Sequence, residues 1–357
     1  MPVFLKNAGR PAWPLCAAAV LLACPAVALA APEGTMLERA AVASARAAQS
    51  VLQAAAFAGP RIVAVGERGI VVLSDDAGKT WKQAAVPVSV GLTAVRFADA
   101  RHGWAVGHGG VVLATSDAGA RWTRVFDGMA AARLMLADAT AAGDGRAVGE
   151  AQRLVQEGAD KPFLDVHFSD LNNGFVVGAY NLAFATTDGG RTWRSFSRRL
   201  PNPKALHLYS IRVRGDEILI TGEQGLVLHS TDRGGQFKAL TLPYAGSFFT
   251  AELPGVKEIV VAGMRGHVWT SADSGANWVQ LSAPIPASFT ASAVDAKGRV
   301  WLANQAGVLF VQDGRGLTPL GAKLPPLNGL LPLAGDSALA LTVAGALVYP
   351  PTAGLQK

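Results

Sequence analysis

The sequence predicts an all-β protein, a seven-bladed β-propeller with a helical hairpin inserted between its second and third blades. Two observations carry this prediction: a unit of about 41 residues recurs along the chain, and each unit contains short apolar stretches separated by Gly-containing turns. The composition agrees, since 40 Gly and 20 Pro accompany a hydrophobic content of 50% and a charged content of only 16%. Such a chain has short strands, tight turns and enough apolar surface for a core.

The first 30 residues have the pattern of a secretory signal peptide. Lys6 and Arg10 form a basic start, and a small, apolar stretch follows over residues 14–30. We expect cleavage after Ala30, which places the mature protein in the periplasm. The chain carries 32 basic and 26 acidic residues, a net charge of +6, and removal of the leader lowers it to about +4. No Lys/Arg-rich run is present, so a nucleic-acid partner is not expected.

A competing interpretation of the leader is a lipobox. Residues 21–24, Leu-Leu-Ala-Cys, resemble that motif, and processing there would make Cys24 a lipidated N-terminus. Cys16 and Cys24 are the two cysteines of the chain, and both lie in the leader. The remaining sequence therefore has no thiol for a disulfide, a metal site or a nucleophile.

The repeats extend over residues 51–349, after an N-terminal segment at residues 31–50 and before a tail at residues 350–357. Each unit is predicted to contain four short strands, the size of one propeller blade. The last unit lacks an obvious fourth strand, and residues 35–46 are the candidate to supply it and close the ring. The residues that end the second strand of each unit align at intervals of 41, 71, 44, 41, 41 and 38 residues; they are Gly66, Gly107, Gly178, Gly222, Gly263, Asn304 and Thr342.

One interval is about 30 residues longer than the others, and the excess lies at residues 127–162. Residues 129–140 and 146–157 have a helix-forming composition, with apolar positions at roughly helical spacing. A Gly-Asp-Gly break at residues 143–145 separates them. The sequence therefore predicts a helical hairpin on the surface of the propeller.

Five units carry the motif Ser/Thr-x-Asp-x-Gly-x-x-Trp/Phe, the Asp-box, in the hairpin predicted between the third and fourth strands. The hydroxyl and the carboxylate can accept backbone N–H groups of the turn, and Gly permits a positive φ. The aromatic ring is expected to bury a large area at the blade edge. Five carboxylates on five hairpins cannot converge on one substrate, so the motif is predicted to be structural. Its copies are Ser74, Asp76, Gly78 and Trp81; Thr115, Asp117, Gly119 and Trp122; Thr186, Asp188, Gly190 and Trp193; Ser230, Asp232, Gly234 and Phe237; and Ser271, Asp273, Gly275 and Trp278.

The alternative is a sialidase-like glycoside hydrolase or a carbohydrate-binding propeller, because sialidases and other glycosidases also use propellers with this motif. A sialidase needs a Tyr nucleophile paired with Glu, and an arginine cluster for the substrate carboxylate. No such pair is evident in the sequence, and Asp165 and Glu252 are the clear acidic candidates on the predicted innermost strands. The six histidines lack metal-binding spacing. The sequence therefore predicts no catalytic residue, no metal, no cofactor and no small-molecule substrate.

The blade pattern of residues 103–122 and 174–193, Gly-x-(apolar)₂-Gly-x₂-(Gly/Asn)-(apolar)₃ followed by the Asp-box, resembles the photosystem II assembly and stability factor family. The similarity covers nearly all of residues 50–349. It implies a non-enzymatic factor that docks on a membrane-protein intermediate through an arginine-rich patch. Exported relatives in proteobacteria that do not photosynthesise are often associated with resistance-nodulation-division (RND) transporters, so a transporter is the alternative partner.

A propeller places the turns between second and third strands and the links between blades on one face. Polar residues at those positions, together with the inserted hairpin, are the candidates for contact with a partner, and the alternative is that they are ordinary solvated turn residues. Arg96 and Arg212 fall on innermost strands and are expected to line the central channel. The partner-contact candidates are Arg68, His108, Tyr180, Arg198, Arg199 and Arg265.

Overall fold

The computed structural model describes residues 1–2, 35–314, 316–321 and 323–350. Residues 3–30 of the predicted signal peptide, its cleavage site and both cysteines lie outside these residues. Within them the chain forms seven antiparallel sheets in sequence order, six with four strands and the last with three. Each sheet is a blade whose strands run outward in chain order, and the two-helix insertion lies between the second and third blades. The predicted seven-bladed propeller is confirmed.

The blades are built from short strands joined by tight hairpins. Blades 1 and 2 contain β1 Leu52–Ala58, β2 Arg61–Gly66, β3 Val71–Ser74 and β4 Lys82–Gln83, then β5 Leu92–Phe97, β6 Gly103–Gly107, β7 Val112–Thr115 and β8 Thr123–Phe126. Blades 3 and 4 contain β9 Phe163–Phe168, β10 Gly174–Gly178, β11 Ala183–Thr186 and β12 Arg194–Ser195, then β13 Leu208–Arg214, β14 Glu217–Gly222, β15 Val227–Ser230 and β16 Lys238–Ala239. Blades 5 to 7 contain β17 Phe248–Glu252, β18 Ile259–Gly263, β19 Val268–Ser271 and β20 Val279–Leu281, then β21 Phe289–Val294, β22 Val300–Asn304, β23 Leu309–Asp313 and β24 Gly316–Leu320, and finally β25 Leu327–Pro332, β26 Ala338–Thr342 and β27 Gly345–Tyr349.

The second strand of each blade is buried over most of its length. In β6, β18, β22 and β26 every residue is buried, because neighbouring blades cover both faces of the sheet at this depth. A strand buried on both faces has a continuous apolar run rather than an alternating pattern, which explains sequences such as Ile-Val-Val-Ala in β18. The hydrophobic core therefore lies between blades rather than in one central cluster.

The ring closes through its innermost strands. Each innermost strand contacts the next, and β25 of blade 7 contacts β1 of blade 1. At this junction Asn328 Nδ2 donates a hydrogen bond to the Leu52 carbonyl over 3.1 Å. Non-covalent packing of blade 7 on blade 1 therefore completes the propeller.

The prediction that residues 35–46 form the closing strand of the last blade is wrong. These residues form no strand, and the described part of blade 7 ends with the edge strand β27. Instead, the segment follows the outer side of blade 1, where Ser44 N donates to Gln83 Oε1 over 2.8 Å and Ala41 N donates to the Val86 carbonyl over 3.0 Å. The Gln83 side chain at the edge strand β4 and the Val86 carbonyl in the link after it are the hydrogen-bond acceptors for the segment.

The two faces of the propeller differ in the hairpins that they carry. The turns between second and third strands bond to the links that enter the innermost strands; Glu67 N donates to the Val51 carbonyl and Ala179 N to the Pro162 carbonyl, each over 3.1 Å. A Cβ on Gly178, the last residue of β10, would collide with that Pro162 carbonyl, so the recurring Gly permits the close approach. We call this side the turn face. The opposite side, with the first-to-second-strand hairpins and the Asp-box hairpins, is the box face.

The insertion forms the predicted helical hairpin, with α1 at Gly128–Ala141 and α2 at Gly145–Glu157. Each helix begins with an aspartate cap: Asp127 accepts from Ala130 N over 2.9 Å, and Asp144 accepts from Ala147 N over 3.1 Å. Helix α1 contacts the turn at residues 108–110 and strand β12, so the hairpin lies on the turn face over blades 2 and 3. Within the described residues, no helix is both long and apolar enough to cross a membrane.

Candidate functional site

Three of the predicted partner-contact residues occupy the same backbone position in their blades. Arg68, Tyr180 and Arg265 are the central residues of the turns between second and third strands, with φ of 54°, 54° and 57°. Gly109 takes this position in blade 2 and Gln224 in blade 4. The left-handed conformation is unfavourable for residues other than Gly, Asn and Asp. Backbone strain of this kind often accompanies functional surfaces.

Three of the four predicted arginines have guanidinium groups available to a partner. Arg68, Arg199 and Arg265 are exposed, and in the described part of the chain no carboxylate lies within 4 Å of them. Arg198 is different, because its Nη2 lies 2.7 Å from Oδ2 of Asp144, the cap of α2. This exposed ion pair joins the insertion to the link between blades 3 and 4.

Tyr180 belongs to a cluster on the turn face. Its ring is 55% exposed and lies 4.6 Å from the His207 ring, and its backbone N–H donates to His207 Nδ1 over 3.1 Å. Lys161 Nζ lies 5.1 Å from the centre of the same ring, a cation–π distance. Glu223 accepts from His207 N over 2.9 Å. Lys161 was not among the predicted site residues, although its position at the end of the insertion is the signal that could have indicated it.

The remaining candidates lie on other blades. His108 is exposed at the first position of the blade 2 turn, beside the insertion, while Arg68 and Arg265 belong to blades 1 and 5. In the described residues, no hydrogen bond or ion pair joins their side chains to the Tyr180 cluster. The structure thus places all six candidates on one face but brings only Tyr180 into a local cluster with its neighbours.

The Asp-box hairpins have the geometry that their residue types predict. In blade 1, Ser74 Oγ accepts from Gly78 N and donates to Asp76 Oδ1, both over 2.8 Å. Asp76 also accepts from the Thr80 backbone N–H over 2.8 Å and from its hydroxyl over 2.6 Å, and Trp81 Nε1 donates to the Gly78 carbonyl over 3.1 Å.

The other four hairpins repeat the contact between the box glycine and the box hydroxyl. The glycine N–H donates to the Ser or Thr hydroxyl over 2.9–3.1 Å, and each of these glycines has the expected positive φ, between 82° and 90°. The donor and acceptor pairs are Gly119 and Thr115, Gly190 and Thr186, Gly234 and Ser230, and Gly275 and Ser271. The residue before each box glycine also has a positive φ, which the motif did not indicate.

The aromatic position of the box varies more than the sequence predicts. Trp193 is buried, at 5% exposure, and its Nε1 donates to the Gly190 carbonyl over 3.1 Å. Trp278 makes the same bond to the Gly275 carbonyl over 3.1 Å but is only partly buried. The side chain of Phe237 has no N–H group to donate, and its partly buried ring stacks 5.8 Å from the ring of Phe196. The expectation of a large buried area is therefore wrong for some copies, because blade edges differ in how far the neighbouring blade covers them.

These contacts hold the box carboxylates ionised. Hydrogen bonds from the side chain and backbone four residues later lower the pKa of Asp76, Asp188 and Asp273 to about 2. Burial by itself would raise the pKa of Asp117, but hydrogen bonds outweigh this effect and the pKa is lowered. Hydrogen bonds also lower the pKa of Asp232. Each carboxylate is occupied by its own hairpin, on a separate blade.

The central channel contains a buried charge network. Arg212, on β13, places Nη1 2.6 Å from Asp165 Oδ2 and Nε 3.1 Å from Glu252 Oε1. Ser292 Oγ donates to the same Glu252 oxygen over 2.8 Å. Burial by itself would lower the pKa of Arg212, and the two carboxylates more than offset this, so the pKa is raised. The two acidic residues that the sequence singled out therefore form an ion-pair network with Arg212.

The glycosidase alternative called for a Tyr/Glu or Asp/Glu pair together with three arginines at the channel mouth. A pair exists: Tyr209 OH donates to Glu223 Oε1 over 3.5 Å. Burial and then the Glu223 charge raise the pKa of Tyr209, which opposes the ionisation that a nucleophile needs. Of the channel arginines, Arg212 is held by two carboxylates and Arg214 by Glu217 at 2.7 Å. Arg96, Arg212 and Arg214 line one cavity at the channel mouth, but two of the three are already paired with carboxylates, and neither Tyr209 nor Glu223 lines that cavity.

Sequence comparisons find similarity to one family over part of the chain. The profile of the photosynthesis system II assembly factor YCF48 family matches residues 146–285. A photosystem II assembly lipoprotein Ycf48 from Synechococcus sp. (strain CC9902) is 39% identical over 92 residues, 26% of each chain. Another, from Prochlorococcus marinus (strain MIT 9312), is 43% identical over 54 residues, 15% of this chain and 16% of that one. The matches thus span about a quarter or less of the length of these relatives.

Solved structures resemble the whole fold at low sequence identity. YCF48 from Cyanidioschyzon merolae superposes with a TM-score of 0.63 and 14% identity, covering 84% of this chain and 95% of that one. The WD40 β-propeller domain of Doa1 gives 0.60 and 8%, covering 88% and 95%. At these identities the structures show the propeller fold alone. The sequence matches, which include residues 174–193, confirm the predicted resemblance to the photosystem II assembly factor family.

Proposed function

We propose that this chain, a relative of photosystem II assembly factors, is an exported, non-enzymatic accessory factor that docks through its turn face on a membrane protein complex. The observation that carries the proposal is the set of exposed arginines, Arg68, Arg199 and Arg265, which have no carboxylate within 4 Å in the described part of the chain. Arginine is favoured at protein interfaces, and cations on one face attract an acidic partner. The relatives described above are named for photosystem II assembly, which supports a photosystem-type partner.

The state of the acidic residues supports a non-enzymatic role. The box carboxylates accept hydrogen bonds from their own hairpins, and Asp165 and Glu252 are both ion-paired with Arg212. Catalytic acid–base pairs instead need carboxylates that can exchange protons near the working pH. None of the relatives described above is named for a glycoside hydrolase or a transporter.

The test is affinity purification from solubilised membranes with charge-reversal variants. Arg68→Glu, Arg199→Glu and Arg265→Glu combined should reduce recovery of the partner, while the thermal midpoint stays near that of the wild type because exposed charges contribute within about 0.5 kcal/mol. The matched control, Lys79→Glu with Arg121→Glu and Arg191→Glu, makes the same charge change on three exposed box-face residues. Equal recovery with the two triple variants would exclude docking through the turn-face arginines.

The insertion is proposed to extend the same surface. It lies beside the turn at residues 108–110, and the Arg198–Asp144 pair ties it to the next blade link. Deleting residues 129–158 should reduce partner recovery about as much as the charge reversal. If the deletion variant folds and retains full recovery, the insertion does not contribute to the interface.

For export, the proposal keeps both forms of processing. The relatives are named lipoproteins, which supports lipidation at Cys24 over cleavage after Ala30. Cys24→Ala separates the two: under lipidation the variant loses membrane attachment, whereas under cleavage after Ala30 the mass of the mature chain is unchanged.

A further inference from the structure

The innermost strands end at the box face around a cavity of about 650 Å³. Apolar side chains from blades 1, 5 and 7 line one part of the cavity, beside the carboxylates of Glu252 and Asp295, and Phe57 is 41% exposed there. The other part is polar and carries Arg96, His167 and Arg212. A concave site with apolar walls and a few convergent polar groups is the usual form of a small-molecule site.

Arg96 is the arginine of this cavity whose side chain makes no hydrogen bond within the described residues, whereas Arg212 and Arg214 each bond to a carboxylate. Its Nε is buried and has no hydrogen-bond partner, and within the described residues no carboxylate lies within 4 Å of its guanidinium group. The nearby acids are already engaged, since Asp165 and Glu252 both bond to Arg212. A buried charged donor without an acceptor is costly, and an acceptor supplied by a bound ligand would remove that cost.

We propose that this cavity binds a small amphipathic monocarboxylate, with its carboxylate on Arg96 and its apolar tail against Phe57 and the neighbouring apolar wall. The planar guanidinium fork matches a carboxylate in a bidentate arrangement. A single negative charge matches the one guanidinium of this group, that of Arg96, which no carboxylate of the described residues pairs, since Asp165 and Glu252 both pair with Arg212. This site is separate from the proposed docking surface, which lies on the opposite face, and it departs from the expectation that the protein has no small-molecule ligand.

The apolar wall supplies the second part of the recognition. Besides Phe57, the side chains of Leu253, Leu331 and Pro332 line the cavity and offer no charge to a ligand tail. His167 adds no charge at neutral pH either, because burial and the nearby Arg96 and Arg212 lower its pKa to about 4. The cavity therefore selects a ligand with one oxyanion end and one hydrocarbon end.

The experiment is isothermal titration of the purified protein with octanoate, octanol and acetate. Octanoate should bind with a stoichiometry of one, and octanol and acetate at least about tenfold more weakly, since each lacks one half of the recognition. Arg96→Met should weaken octanoate binding by about tenfold or more without lowering the thermal midpoint, because it removes a buried charge that has no partner. Arg146→Met, on the exposed surface of α2, is the control and should bind octanoate as the wild type does.

Two further variants keep the proposal open to refutation. Phe57→Ala should weaken the binding of octanoate but not that of acetate. Arg96→Lys, which keeps the positive charge but loses the planar guanidinium group, should also weaken octanoate binding, and it replaces Arg96→Met as the test if that variant does not fold. Absence of saturable octanoate binding, equal binding by octanol, or unchanged binding in the Arg96 variants would each overturn the site. Partner recovery should be unaffected by Phe57→Ala, so this result and the docking result are independent.

Discussion

Trp122 shows at the scale of one residue how a box side chain joins two blades. The indole is 4% exposed, and its Nε1 donates to the Gly119 carbonyl over 2.9 Å. It belongs to a core cluster that includes Val63 of blade 1 and Leu113 of blade 2. The aromatic position of the motif therefore acts on the interface between blades as well as on its own hairpin.

Replacement of Trp122 by Ala should lower the free energy of unfolding by roughly 3–5 kcal/mol, the usual range for truncating a buried aromatic side chain. Chemical denaturation of the purified variant measures this. Trp81→Ala is the matched control, because Trp81 occupies the same motif position but is only partly buried, and it should cost less. Equal losses for the two variants would show that burial between blades does not set the energy.

The left-handed turn residues predict an unusual separation of stability from binding. Arg265→Gly removes a partner-face side chain and relieves a positive φ that costs a non-Gly residue about 1–2 kcal/mol. Because Gly also loses more chain entropy on folding, the net change should lie between zero and a gain of about 1 kcal/mol, while partner recovery falls.

Gln224→Gly is the control for that experiment, since it has the same backbone position without the charge. It should change stability in the same direction and leave partner recovery unchanged. The thermal midpoint and the affinity purification together measure the two effects. A loss of stability in both variants would mean that the turn side chains make stabilising contacts.

At the scale of the strand, two histidines are held in surroundings that disfavour their charged form. Burial, and then Arg96 and Arg212, lower the pKa of His167 on β9 to about 4. Burial also lowers the pKa of His229 on β15, although Glu217 opposes it. In the unfolded chain both would titrate near 6.5. At a pH between the folded and the unfolded pKa, the unfolded chain binds protons on these histidines that the folded chain does not bind. The stabilisation from the neutral histidines is therefore fully present above about pH 6.5 and is lost as the pH falls.

The free energy of unfolding should therefore fall as the pH is lowered from about 7 to about 4.5. The part of this loss that is due to His167 should reach roughly 3 kcal/mol by about pH 4. His167→Gln and His229→Gln should each reduce the slope, measured by urea unfolding at several pH values. His108→Gln, at an exposed turn position, is the control and should leave the slope as it is. An unchanged slope in both buried variants would contradict this account.

At the scale of the whole molecule, the turn face should behave as one electrostatic surface. If its arginines attract an acidic partner, binding should weaken as salt rises from about 50 to 500 mM, because the Debye length shortens from above 10 Å to below 5 Å. The triple variant with Arg68, Arg199 and Arg265 replaced by Glu should show a smaller salt dependence. Surface plasmon resonance with the purified membrane partner measures both, and a salt-independent wild-type interaction would argue against steering by these charges.

The sequence by itself determined the features that depend on neighbours in the chain. The number of repeat units sets the number of blades, since each unit contains its own apolar stretches and turns. The helices at Gly128–Ala141 and Gly145–Glu157 follow from local composition and from caps placed just before them. The hydroxyl and carboxylate contacts of the box hairpins are local too, because they join residues within a few positions of each other.

The tertiary structure alone decided the features that depend on distant residues. Residues 35–46 follow blade 1 because Gln83 and the Val86 carbonyl present partners there, which no local pattern indicates. Arg212 bridges Asp165 and Glu252 across three blades, and Arg96 remains without an acceptor, although all four were visible as charged residues on inner strands. The periodicity placed each of these side chains in the channel, but their pairing depends on packing angles and side-chain reach between blades, which appear only once the ring has closed.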